Sequence, residues 1–182
     1  MTINEIKELL SHEPTAELIA ELAQDKRVAV QKLLQSYHKR IEKAALEKER
    51  FYKMLSYERQ YYGEGAKLIA GVDEAGRGPL AGPLVIAAVI LPEDVFISGL
   101  NDSKQISASK RAKLYDEVLQ KAISVSVNIV SISNIDELNI YRATQVGMSE
   151  VLLSLDVRPD VALIDAMPVE AEDIKTVSLV HG

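Results

Sequence analysis

Two adjacent acids, Asp73 and Glu74, close the apolar run Lys67-Leu-Ile-Ala-Gly-Val72, and a stretch rich in glycine and proline follows to Pro83. A third acid, Asp165, ends a second apolar run, Val161-Ala-Leu-Ile164. Ligand sites in open α/β sheets lie beyond the carboxyl ends of strands. If the two runs are neighbouring strands, Asp73 and Asp165 share one edge of the sheet. Like charges held that close repel, and a divalent cation removes the conflict; carboxylate oxygens favour Mg²⁺ or Mn²⁺ over softer metals. Two such ions about 4 Å apart can activate water and stabilise the leaving oxygen in phosphodiester cleavage. Glu74 joins Asp73 only if the strand ends or twists between them, because successive strand side chains point to opposite faces. Gly76 and Gly78 supply the backbone freedom for that turn.

The glycine run has a competing reading. Gly76-Arg-Gly78-Pro-Leu-Ala-Gly82 spaces its glycines as G-x-G-x-x-x-G, whereas a dinucleotide fingerprint is G-x-G-x-x-G opening a helix. Pro79 and Pro83 obstruct a helix, an apolar strand follows, and no G-x-x-x-x-G-K-[ST] exists, so neither a Rossmann nor a P-loop phosphate site fits.

The elements that must position these residues follow from periodicity. Residues 1–62 read as helical: Ile3, Ile6, Leu9 and Leu10 recur at helical spacing, Thr15 can cap a second helix with Leu18, Ile19 and Leu22, and a long segment from about Asp25 to Tyr62 carries no Pro or Gly. Its basic residues could touch phosphates or form a solvated helix face. Gly63-Glu64-Gly65 ends it as a linker. Strands are expected over Leu68–Val72, Leu84–Leu91, Ser124–Ile132, Asp160–Asp165 and Lys175–Val180. Helices are expected from Ser107 to about Ala122, with Leu114, Tyr115, Val118 and Leu119 facing inward, and from Ile135 to Leu155. The order predicts an α/β domain with a mixed sheet flanked by helices.

Composition narrows the classes. Of 182 residues 47% are hydrophobic and 26% charged, as in ordinary globular proteins, and the absence of cysteine excludes a disulfide scaffold and thiolate metal sites. No apolar stretch reaches the roughly 18 residues of a membrane span, and the acid-bearing N-terminus lacks a signal-peptide core, so a cytoplasmic location without membrane association is expected. The net charge of −6 falls on residues 67–182, while residues 1–66 balance. A nucleic-acid partner would therefore require cations or local basic patches.

Taken together, the motifs carry a resemblance. Gly71-Val-Asp-Glu-Ala-Gly-Arg-Gly-Pro-Leu-Ala-Gly-Pro83 resembles the signature segment of bacterial ribonuclease HII. Asn101-Asp-Ser-Lys-Gln105 is similar to that family's Asp-Ser-Lys segment, and Asn139-Ile-Tyr-Arg-Ala-Thr144 and Leu163-Ile-Asp-Ala-Met167 follow in its order and spacing. The likeness covers about Leu68 to Gly182, and the preceding helices resemble the N-terminal extension of some members from Gram-positive bacteria. It implies an RNase H-like fold with a mixed five-stranded sheet and flanking helices over residues 67–182, preceded by a small all-helical extension over 1–66. It implies endonucleolytic hydrolysis of the RNA strand of RNA/DNA hybrids, and nicking at ribonucleotides embedded in duplex DNA, by a two-metal-ion reaction with Mg²⁺ or Mn²⁺. Cleavage would leave a 3′-hydroxyl and a 5′-phosphate. Asp73, Glu74 and Asp165 match three of the family's four catalytic, metal-binding acids. Gly76, Arg77 and Gly78 match the segment that senses the ribose 2′-hydroxyl, the group that separates RNA from DNA. Lys104 would approach phosphate. No obligate protein partner is inferred.

The family pattern continues, after a glycine resembling Gly182, with the fourth Asp, a helix and a Tyr of the junction sensor, whereas this sequence ends at Gly182 and has His181 where Lys is frequent. On that ground the fragment is expected to turn over weakly or not at all. The alternative is a non-catalytic hybrid-binding or structural module that docks through its N-terminal helices and Arg77. A resolvase- or transposase-like nuclease fits less well, because the Gly-Arg-Gly and Asp-Ser-Lys segments are complete.

Overall fold

A computed structural model describes residues 1–78 and 82–179. Pro79, and Val180 to Gly182 with His181, lie outside the described residues. The chain divides into two compact units, Met1–Lys53 and Met54–Gly182.

In the first unit, α1 (Ile3–Ser11) opens with a capping box in which the Glu5 amide donates to the Thr2 hydroxyl oxygen and the Thr2 amide donates to the Glu5 carboxylate. α2 (Ala16–Gln24) is capped by Thr15, as expected. The long helix α3 (Val28–Met54) completes the unit. Ile6, Leu10, Leu22 and Val30 are buried together, with Leu18, Ile19, Leu33 and Tyr37 packed against them. The expected continuous helix to Tyr62 breaks at Leu55, whose φ of −84° and ψ of 26° leave the helical region, and α4 (Ser56–Gly63) starts afresh. Nothing in the local sequence marks this break. α4 instead follows its packing, with Tyr61 and Tyr62 set against Ile69, Val161 and Leu163 of the sheet, a case of tertiary contacts overriding propensity.

The second unit is built on a five-stranded sheet of order β3-β2-β1-β4-β5, formed by β1 (Ile69–Ala75), β2 (Leu84–Ile90), β3 (Ser124–Val130), β4 (Val161–Asp165) and β5 (Lys175–Leu179). β1 pairs antiparallel with β2 and parallel with β4; β2–β3 is antiparallel and β4–β5 parallel. The mixed sheet is the one expected from the element order. β3 stops at Val130 because Ser131 caps α6 (Ile132–Leu138).

The single helix expected over Ile135–Leu155 is two, since Asn139 at φ 64° ends α6 and caps α7 (Ile140–Leu153) by accepting the Arg142 amide at 3.1 Å. α7 packs across β1, β2 and β3. Its Gly147 is there for want of space: a Cβ would stand 2.5 Å from Ile86 Cδ1 and 3.0 Å from Val130 Cγ2. Ala70, Val72, Ile86, Ala88, Ile164, Met148, Val151 and Leu152 form the core of this face.

α5 (Ala108–Lys121) turns Leu114 inward, but Tyr115 at 63% and Leu119 at 44% exposure face solvent, contrary to expectation. β3 alternates with its polar side inward. Asn128 donates to Glu150 on α7 at 2.8 Å, while Val127 and Ile129 are exposed. Among the described residues no helix is long and apolar enough to cross a membrane.

Candidate active site

β1 ends differently from the sequence reading. It runs on through the two acids to Ala75, with Asp73 opposite Ala87 and Glu74 opposite Ile86 on β2. Directly paired residues share a face of the sheet. Glu74 therefore stands on the face of Val72 and Ile86, toward α7, and Asp73 on the other. The turn that was to bring the two acids together begins one residue too late, at Gly76. β4 ends at Asp165 as expected, and the parallel register Val72↔Ile164 makes Asp73 and Asp165 the next neighbours on a common face. Both are exposed, and strands lie about 4.8 Å apart, so the two carboxylates face water side by side.

Each acid is held by backbone detail. Asp73 Oδ1 accepts the Glu74 amide at 2.7 Å. Just past Asp165, Ala166 takes a φ of 43°, and its amide donates to the Leu179 carbonyl of β5 at 2.8 Å. A left-handed alanine costs about 1–2 kcal/mol. No signal in the sequence points to it, since alanine is not a residue that favours that conformation. Glu74 is largely buried, with a side-chain exposure of 12%; its Oε1 lies 3.4 Å from Arg77 Nη1, and its buried Oε2 has no hydrogen-bond partner among the described residues. A buried carboxylate oxygen without a partner costs roughly 1–3 kcal/mol or more, and a hard cation is one group that would satisfy it. The oxygen-only donor set and this orphan oxygen fit a divalent metal. Among the described residues, however, no three acids or histidines stand close enough together to cage one. The sheet joins Asp73 to Asp165 and leaves Glu74 apart.

The glycine segment is a tight passage. Gly76 has φ 96°, and a Cβ there would lie 2.5 Å from the Pro83 carbonyl oxygen, so no side chain fits. Gly78 has open space around it, and Arg77 is exposed. Lys104 sits in the 3₁₀ turn Ser103–Gln105, where Asp102 Oδ1 accepts its amide at 2.9 Å, and its side chain is exposed. A cavity of about 600 Å³ elsewhere in this unit is lined by Arg142, Gln145, Ser149, Glu170, Thr176 and Ser178 among others, and none of the expected acids lines it.

Residues 2–62 match the model of the ribonuclease HII N-terminal domain, and residues 70–179 match that of ribonuclease HII. The chain belongs to the ribonuclease HII family. Ribonuclease HII of Lactobacillus helveticus is 46% identical over 182 residues, which are all of this chain and 72% of that protein. That of Lactobacillus delbrueckii subsp. bulgaricus is 48% identical, with all of this chain and 71% of the relative covered. Among solved structures, ribonuclease H2 of Pyrococcus horikoshii superposes with a TM-score of 0.53 at 27% identity, covering 61% of each chain. The ribonuclease HII in a PCNA complex from Archaeoglobus fulgidus gives 0.50 at 26%, covering 63% of each. Ribonuclease HII is a hydrolase of the endonuclease class, and the mixed five-stranded sheet with an N-terminal helical domain is the RNase H-like arrangement.

Proposed function

We propose that this ribonuclease HII chain hydrolyses the RNA strand of RNA/DNA hybrids and nicks duplex DNA at embedded ribonucleotides, using Mg²⁺ or Mn²⁺. The observation that carries the reading is the register that sets Asp73 beside Asp165 at the ends of two parallel strands. In this reading residues 67–182 are the catalytic domain and 1–66 its helical extension. Asp73 and Asp165 hold metal, and Glu74 would add a third donor only on a turn of the strand end that carries its carboxylate over to their face. Bound metal supplies a more acidic water and neutralises charge on the leaving oxygen, in a two-ion arrangement.

The remaining work belongs to the chain. The backbone at Gly76–Gly78, free of side-chain bulk at its two glycines, approaches the ribose and reads its 2′-hydroxyl. Arg77 and Lys104 carry exposed cations for the flanking phosphates. Water oxygen attacks phosphorus, the bond from phosphorus to the 3′-oxygen breaks, and the products are a 3′-hydroxyl and a 5′-phosphate. The test is a labelled DNA duplex carrying one ribonucleotide, beside an all-DNA duplex. Metal-dependent nicking at the ribonucleotide alone, with those end groups, supports the reading; cutting of both duplexes removes the ribose specificity.

One observation favours a second reading. No acid triad is assembled among the described residues, which suits a module that docks on hybrid without cutting it. Binding to the duplex with no nicking at any Mg²⁺ or Mn²⁺ concentration supports that alternative.

A further inference from the structure

Of the three acids, Glu74 is the one that the sheet sets apart. Its side chain is 12% exposed and lies with Val72 and Ile86 on the side of α7. Burying a carboxylate costs free energy unless a partner compensates. Oε2 has no hydrogen-bond partner among the described residues, and Oε1 accepts from Arg77 Nη1 at 3.4 Å. Arg77 is the one cation within ion-pair distance of this carboxylate among the described residues.

The pair is a weak one. A charge-assisted N–H···O bond spans about 2.7–2.9 Å, and an arginine that grips a carboxylate firmly does so with two parallel bonds. Here a single, longer bond forms, and 37% of the Arg77 side chain is exposed. Gly76, at φ 96°, follows directly on β1, and Gly78 has open space around it, so little bulk surrounds the arginine. A phosphodiester arriving from solvent finds the guanidinium accessible and offers it two oxygens where Glu74 offers one. Two exchanges therefore meet at one residue pair. The guanidinium can face Glu74 or a phosphate, and the carboxylate can face Arg77 or a divalent cation. Whatever draws Arg77 away leaves a buried carboxylate without its counter-ion, which favours a cation there, and by linkage the effect is reciprocal.

We infer that Arg77 is a positioning residue for the acid site: its ion pair holds the Glu74 carboxylate on the α7 side, and a duplex phosphate that engages Arg77 releases Glu74 toward Asp73 and Asp165. Both ligands, a divalent cation and a phosphodiester, are those of the proposed function, on which this exchange rests. Arg77 then has a task besides meeting phosphate, which is to tie assembly of the acid site to the arrival of a duplex.

Two double-mutant cycles test this on the full chain with R77A, E74Q and R77A/E74Q, circular dichroism confirming that each folds. In the first, free Mn²⁺ is counted by electron paramagnetic resonance as protein is added. R77A is expected to bind Mn²⁺ about two- to fivefold more tightly than the parent, the scale of a partly exposed ion pair, and R77A/E74Q no more tightly than E74Q. A gain of affinity cannot come from a damaged fold. Equal gains in both backgrounds mean that Arg77 merely repels cations, and they overturn the proposal, as does the lack of any gain. In the second cycle, anisotropy follows a labelled duplex carrying one ribonucleotide, with EDTA present. E74Q is expected to tighten binding by a similar factor where Arg77 is present, and to leave binding unchanged in R77A. An equal gain in both backgrounds, or none, overturns the proposal. Neither cycle involves cleavage. A chain that nicks at the ribonucleotide but fails either cycle loses the exchange and keeps the proposed function, while one that passes both without nicking does the reverse.

Discussion

Asp73 and Asp165 are adjacent like charges on one sheet face. Neutralising one with a near-isostere should therefore stabilise the metal-free protein. Asp165→Asn is expected to raise unfolding stability in EDTA by up to about 1 kcal/mol, a scale set by partly exposed charge pairs, and to lose that advantage when Mg²⁺ is added. Denaturant titration with and without metal checks both arms. Ala166 offers a second test beside the same acid. Its positive φ is relieved by glycine, so Ala166→Gly should stabilise by about 0.5–1 kcal/mol in the same titration, whereas an unstrained alanine would lose stability on that change. The two aspartates were legible in the sequence because each closes an apolar run. The separation of Glu74 was not, because where β1 stops depends on its ladder with β2, which continues to Ala75.

At the scale of elements, two carboxyl groups predict opposite responses to pH. Asp160 accepts the amides of Lys67 and Leu68, at 2.8 and 3.0 Å, where the chain enters β1, and these hydrogen bonds hold its carboxyl below the usual carboxylate range. Its contribution is present above the unfolded pKa and is lost as pH falls through the lowered folded value. Glu58 on α4 lines a cavity of about 130 Å³ with Tyr62, Val89, Leu91 and Glu93, and burial pushes its carboxyl up. Folding then favours the protonated form, so its contribution is largest below the unfolded pKa and is lost as pH rises through the raised folded one. Stability measured from pH 3 to 7 should show Asp160→Asn flattening the acid loss, and Glu58→Gln gaining stability at pH 7 with little change at pH 3. Packing sets a third expectation: Gly147→Val, forced against Ile86 and Val130, should cost about 1–3 kcal/mol. The order of strands and helices along the chain and the caps at Thr15 and Ser107 follow from local chemistry that a sequence displays. The breaks at Leu55 and Asn139, and the outward Tyr115 and Leu119, depend on what the folded sheet leaves to be covered, which local periodicity does not encode.

Across the whole molecule, net charge and function pull in different directions. The −6 resides in the sheet-bearing part of the chain, so an anionic substrate approaches a site that repels it until metal is bound. Metal that binds the folded state alone should stabilise it by RT ln(1 + [L]/Kd), about 2.7 kcal/mol at a hundred times Kd. The claim on which the rest depends is that the β1–β4 juxtaposition is a metal centre. Free Mn²⁺, counted by electron paramagnetic resonance as protein is added, tests it without requiring turnover. Saturable Mn²⁺ uptake by the parent chain, lost or strongly weakened in both Asp73→Asn and Asp165→Asn, is the predicted result; equal uptake by all three proteins, or none by the parent, would contradict it.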